Sequence, residues 1–169
     1  MEQTKVVNLD LSATKGTTVQ VNGDPNAQFT LNLSDFGIYA RLTDGLDKLY
    51  NTFAELKNKM GDIATSDADE ASVESEDEEL TDETNDKFID TMKEADAQMR
   101  GIVDYIFSAP VSDVCAPDGY MFDLFEGQLR FEYIINAITK LYENNINAEF
   151  YKVKARVNSK LPHYVTQGK

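Results

Sequence analysis

Apolar positions in the first 33 residues recur at every second residue. Val7, Leu9 and Leu11 alternate with Asn8 and Asp10, Val19 and Val21 alternate with Thr18 and Gln20, and Phe29, Leu31 and Leu33 repeat the pattern. Side chains two apart share one face of a strand, so this spacing predicts short β-strands. Residues 22–27, Asn-Gly-Asp-Pro-Asn-Ala, separate the last two runs, and Gly23 and Pro25 favour chain reversal there. Residues 17–33 therefore read as a β-hairpin with a loop of several residues. So few short strands are marginal alone; they must pack on helices or add to a partner's sheet.

After residue 33 the period changes. Ser34 or Asp35 can cap a first helix, in which Leu42, Leu46, Leu49, Phe53, Leu56 and Met60 follow at alternating spacings of four and three. That is a heptad seam, with Gly61 as its expected C′ residue. Thr81 is the expected N-cap of a second helix, with Asp82 and Glu83 well placed against its dipole. Phe88, Met92, Ala95, Met99, Ile102 and Ile106 then repeat the same spacing. Two matched seams predict an antiparallel helical hairpin. The stretch 108–119, with Pro110, Pro117 and Gly119, reads as a loop containing at most one helical turn.

A third helix is expected to begin between Phe122 and Gln128 and to run through Tyr142. Leu124, Phe125, Leu129, Phe131, Ile134, Ile135, Ile138, Leu141 and Tyr142 spread over an arc too wide for a one-sided surface helix. Asn144 and Asn145 are expected to end it. Asn147 would cap a last short helix carrying Phe150, Val153, Val157 and Leu161. The fold expected is mainly α with a small N-terminal β-hairpin (α+β): an antiparallel bundle of three long helices plus a short C-terminal helix. Residues 1–33 would form the hairpin region and 34–169 the helical domain, with an acidic flexible linker at 62–81.

Charge explains that linker. Residues 62–86 hold twelve acidic residues and no Lys or Arg, which is −12 of the formal −14. Self-repulsion and scarce apolar side chains favour an extended, solvated segment. Residues 129–169 carry seven basic and three acidic groups, so the chain is acidic in the middle and mildly basic at its end. A pI near 4.4 disfavours nucleic acid and anionic membranes as partners. No run reaches the roughly 18 apolar residues of a membrane span, and Met1–Leu11 lacks a secretory pattern. One cysteine, Cys115, fits a reducing compartment, so a cytoplasmic location is expected.

The chemical inventory is sparse. His163 is the only histidine and follows Pro162 near the end of the chain; Cys115 lies in the Pro-containing loop without a sequence-adjacent base. One Cys and one His cannot supply a tetrahedral zinc site, no phosphate-binding glycine loop is present, and residues 67–70 lack the glycine and bidentate glutamate of an EF-hand. No catalytic residue, metal or cofactor is expected. The expected function is protein–protein interaction, with Phe29 and Leu31 on the hairpin edge and Tyr120, Phe122 and Tyr151 at the rim as contact residues. Self-association into a homo-oligomer is compatible with the matched seams.

The order of elements is similar to that of tail assembly chaperone-type proteins of tailed phages and prophages of Gram-positive bacteria. The local likeness lies in residues 101–116, GIVDYIFSAPVSDVCA, and 124–145, LFEGQLRFEYIINAITKLYENN. In such proteins a helix ending in an "ID-x-x-F-G" pattern leads through a loop into a closing apolar helix. Here Val103, Asp104, Tyr105, Ile106 and Phe107 are followed by Ser108 in place of the glycine, and the loop carries two additional prolines. The resemblance implies a non-enzymatic helper in the bacterial host cytoplasm that binds tape measure and tail tube proteins. Two other readings are a structural virion component of the head–tail or baseplate region, and an acidic inhibitor that mimics nucleic acid.

Overall fold

The computed structural model describes residues 16–70 and 82–160. Val7, Leu9 and Leu11, Thr81, and Leu161 with His163 lie outside the described residues. Strands β1 (Thr17–Gln20) and β2 (Gln28–Leu31) pair antiparallel, with Thr17 opposite Leu31 and Val19 opposite Phe29. The alternation sorts as the pattern predicts: Phe29 and Leu31 are buried and Val19 half-buried, while Thr18, Gln20, Gln28 and Thr30 face solvent. The chain reverses at Asn22 and Gly23, both at positive φ (54° and 73°). The Asp24 carboxylate accepts the Asn26 N–H at 2.8 Å, so the loop closes on its own polar groups.

Helix α1 (Ile38–Glu70) is entered through Asp35. One carboxylate oxygen accepts the Gly37 N–H at 2.8 Å and the other holds Arg41 at 2.6 Å. That pairing, the largest influence on Asp35, keeps its carboxyl below the ordinary value of 3.8. Arg41 also donates from Nε to the Ile106 carbonyl at 2.9 Å, tying the base of α1 to the end of α2 (Asp82–Phe107).

The two helices run antiparallel: Gly45 faces Ile106, Lys48 faces Tyr105, and Lys59 lies opposite Glu94. Leu49, Leu56, Ala95, Met99 and Ile106 are buried in this contact, and Leu42, Leu46, Phe53 and Ile102 are partly buried. Each fully buried aliphatic side chain is worth about 1.5–3 kcal/mol relative to exposure. Gly45 sets the closeness of approach, since a Cβ there would sit 2.4 Å from Ile106 Cγ1.

Four expectations about these elements are corrected. Gly61 does not end α1, which continues to Glu70; a mid-helix glycine costs only about 1 kcal/mol, and half-buried Ile63 extends the seam past it. The acidic linker expected at 62–81 is therefore helical over residues 62–70, and residues 71–81 lie outside the described part. The third helix does not start between Phe122 and Gln128. Those residues instead include a second small hairpin, β3 (Leu124–Phe125) with β4 (Gln128–Leu129). Finally, Asn144 and Asn145 do not end a helix: α4 runs unbroken over Arg130–Lys160, so no separate short C-terminal helix forms. Asn145 spends its amide on a tertiary bond, donating to the Leu33 carbonyl at 3.1 Å.

The protein is thus mostly helical with a small antiparallel hairpin near its N-terminus. Helix α4 runs against the base of the α1–α2 pair, with Phe131 edge-on to Tyr50 (5.5 Å) and Tyr142 stacked near Phe107 (6.3 Å). Phe29 and Leu31 share one hydrophobic core with Leu49, Met99, Ile106 and Phe131, so the division at residue 33 does not separate two cores.

Candidate functional site

The connection from α2 to α4 is built by polar side chains at helical spacing. Asp96, Arg100 and Asp104 lie four residues apart on α2 and so form one stripe. Helix α3 (Val111–Cys115) has Pro110 at its N-cap, which offers no side-chain cap. Asp104 supplies it from outside: Oδ1 accepts the N–H groups of Val111 and Ser112, both at 2.8 Å, and Oδ2 accepts the Ser112 hydroxyl at 3.1 Å.

Arg100 donates to Asp96 (2.6 Å), to Asp113 (3.1 Å) and to the Gly119 carbonyl (2.9 Å). Burial opposes its charge, but the carboxylates of Asp96 and Asp113 outweigh burial and raise its pKa. Asp96 also accepts the Met121 N–H at 2.6 Å, and Met121 is fully buried. The loop is thereby pinned at both ends.

Helix α4 starts against the same loop. Glu132 stands at its third position and accepts the Leu129 N–H at 2.9 Å, one half of a capping box. Its other oxygen accepts the Tyr50 hydroxyl at 2.5 Å, and this bond is the main cause that raises the Tyr50 pKa. Arg130 donates to the Asp118 carbonyl and pairs with Asp123 at 3.5 Å. Between β3 and β4 the turn is Glu126–Gly127, both at positive φ (50° and 82°). Such a two-residue turn matches strand twist and favours glycine.

This clamped loop, the first hairpin and α4 enclose an apolar groove of about 460 Å³. Val19 and Val21 form one wall, Phe29 the floor, and Tyr133, Ile134, Ala137, Ile138 and Leu141 the facing helix. Phe125 extends the groove outwards, edge-on to Tyr133 with ring centroids 4.7 Å apart, and neighbouring Leu124 is 77% exposed. Asn22, Asp118 and Arg130 supply polar groups at the mouth. Cys115 also lines the groove, but burial first and the Asp104 carboxylate second push its thiol up to about 11. It stays protonated at neutral pH, whereas a nucleophile needs the thiolate.

The expected contact residues do not converge on one surface. Phe29 and Leu31 are 4% and 1% exposed. Phe29 is the groove's floor and Leu31 is core, because the inner face of the hairpin packs inward; neither side chain is an edge contact. Tyr120 and Phe122 stack on each other at 5.0 Å, half-buried, and do not line the groove. Tyr151 is exposed on the distal half of α4. The sequence reading missed Val19, Val21, Tyr133, Ala137 and Leu141 as a joint surface. A signal for them exists: Tyr133, Ala137 and Leu141 are four apart, a stripe beside the core-facing Phe131, Ile135, Ile138 and Tyr142.

Among the described residues no group of three or more His, Cys, Asp or Glu is placed to hold a metal ion, and no helix is long and apolar enough to cross a membrane. Comparison with known protein families, curated proteins and solved structures finds no match to this chain.

Proposed function

We propose that this chain is a non-enzymatic protein-binding protein that holds an apolar segment of a partner in the groove between β1 and α4. The observation that carries the reading is the groove itself. It is of ligand-pocket size and lined mainly by aliphatic and aromatic side chains, and the loop on one side of it is tied down by the Asp96–Arg100–Asp104 stripe. High net negative charge opposes association of such holding complexes with one another and keeps them in solution.

The partner class follows from the resemblance to tail assembly chaperone-type proteins, whose similar stretches, 101–116 and 124–145, make up much of the groove's loop and helix. On this proposal the partners are phage tail proteins, tape measure or tail tube, in the bacterial host cytoplasm. Co-expression with a phage tape measure protein tests it. The chain is expected to keep that protein in the soluble fraction, to co-purify with it and to be absent from purified virions. A chain that stays strictly monomeric and leaves tape measure aggregation unchanged overturns the proposal. Its presence in mature particles would point instead to a structural virion component.

A further inference from the structure

Along the groove Val19, Val21, Tyr133 and Leu141 are only half-buried and Ala137 is exposed, so an apolar strip faces outwards between β1 and α4. Covering such surface is favourable roughly in proportion to its apolar area. The lining carries one carboxylate, Asp118, and one guanidinium, Arg130, and so is electrically balanced. It suits an occupant that is apolar and has no net charge.

Three stretches of the chain lie outside the described residues, and they depart at different distances from this strip. Residues 71–81 follow Glu70, about 30 Å along α1 beyond Tyr50, which meets α4 at Phe131. Residues 161–169 follow Lys160, about 30 Å along α4 beyond Leu141. Residues 1–15 join at Gly16, immediately before β1 and close to Val19.

The sequence of this last stretch has the character that the strip suits. Val7, Leu9 and Leu11 share one face of an extended chain and Asn8 and Asp10 the other, and residues 5–12 hold one Lys and one Asp. Lengths agree as well. Val7 to Leu11 spans about 13 Å when extended, and Tyr133 to Leu141 spans about 12 Å along α4. The link Ser12–Gly16 is long enough for a hairpin reversal. A segment tethered so closely has an effective concentration in the mM range, far above that of a free competitor.

We propose that residues 7–11 fold back over the groove as a built-in cover, Leu9 beside Val19 and Val7 beside Val21, which a partner's apolar segment must displace. The displacement rests on the reading of the groove as the holding surface; the cover does not. A cover closed for about nine-tenths of the time lowers the apparent affinity for a partner about tenfold.

Cys115 lines the groove and is the only cysteine, so its rate of labelling by a maleimide reports on the cover. In the full chain, Val7→Asp together with Leu9→Asp should speed labelling about tenfold, the ratio set by the open population. A synthetic peptide of residues 5–12 should slow it again, and a scrambled peptide should not. Asn8→Asp with Ser12→Asp adds the same charge on the other face and should leave the rate unchanged. The peptide arm stays decisive if the first pair also lowers the melting temperature, because a misfolded groove would not be protected.

Equal rates in the parent chain and the Val7→Asp, Leu9→Asp chain overturn the cover and leave the holding surface in place. Equal acceleration by Asn8→Asp with Ser12→Asp also overturns it, because charge rather than the apolar face would be responsible. Protection that fades on dilution overturns it by assigning the occupant to a second copy. Fast labelling reversed by the peptide, with no gain in tape measure protein kept soluble, upholds the cover and overturns the holding surface.

Discussion

The α1–α2 pair and the α2–α4 connection are joined at Phe107, yet they are held by opposite physics. The helix pair rests on side chains repeated at spacings of four and three, each worth about the same and each replaceable by a similar apolar residue. The connection rests on a few charged groups with several hydrogen bonds each, Asp104, Arg100 and Asp123 above all. Periodic packing spreads stability over many residues and tolerates variation. A polar clamp concentrates it, so removal of one carboxylate leaves several buried donors without an acceptor. The groove is walled partly by this clamped connection, so its shape depends on the less tolerant region.

The largest expected effect is therefore in the clamp. Asp104→Ala removes the acceptor of two backbone N–H groups and one hydroxyl, and should destabilise the protein by about 2–4 kcal/mol in urea unfolding. A loss as small as that of a surface substitution would show that water satisfies α3 as well as Asp104 does. The helix pair is tested where it is least forgiving. Gly45→Ala places a Cβ against Ile106, and should destabilise by about 1–2 kcal/mol even though alanine is the better helix former. Gly61→Ala is the internal control, because nothing lies within 4 Å of its added Cβ. It should stabilise by about 0.5–1 kcal/mol, and opposite signs for the two glycines would confirm that packing decides only the first.

The smallest effect is at the join of hairpin and helix. Asp35 is depressed below 3.8 by Arg41, so its contribution is present above that pH and is lost as pH falls through the lower folded value. Because the pair is partly exposed, Asp35→Asn should cost less than about 1 kcal/mol at pH 7. That difference should shrink in acid denaturation profiles below pH 3.8. A pH-independent difference would assign the effect to the Gly37 cap rather than to the ion pair.

The regions also differ in how far they could be read from the chain. The alternation of Val19 and Val21, the reversal at residues 22–27 and the two matched seams all reappear in the structure, since strand and helix periods follow from local geometry. What failed was punctuation. Gly61 and Asn144–Asn145 look like helix ends, but each costs little, and Ile63 on one side and the Asn145–Leu33 bond on the other carry the helices through. Glu126–Gly127 between Leu-Phe and Gln-Leu is a legible two-residue turn signal, lost here beneath the apolar run in which it sits. Phe29 and Leu31 were correctly placed on one strand face, but no periodicity says whether that face meets a partner or the chain's own core.

The sequence by itself determined the strand alternation, the paired helices and the concentration of acidic charge, because these depend on neighbours within a few residues. Only the tertiary structure decided that Asp104 caps a helix that follows a proline, that Gly45 fixes the approach of Ile106, and that Tyr133, Ala137 and Leu141 face Val19 and Val21 across a groove. Those relations join residues far apart in the chain, and a surface made by such contacts exists only once the chain has closed on itself.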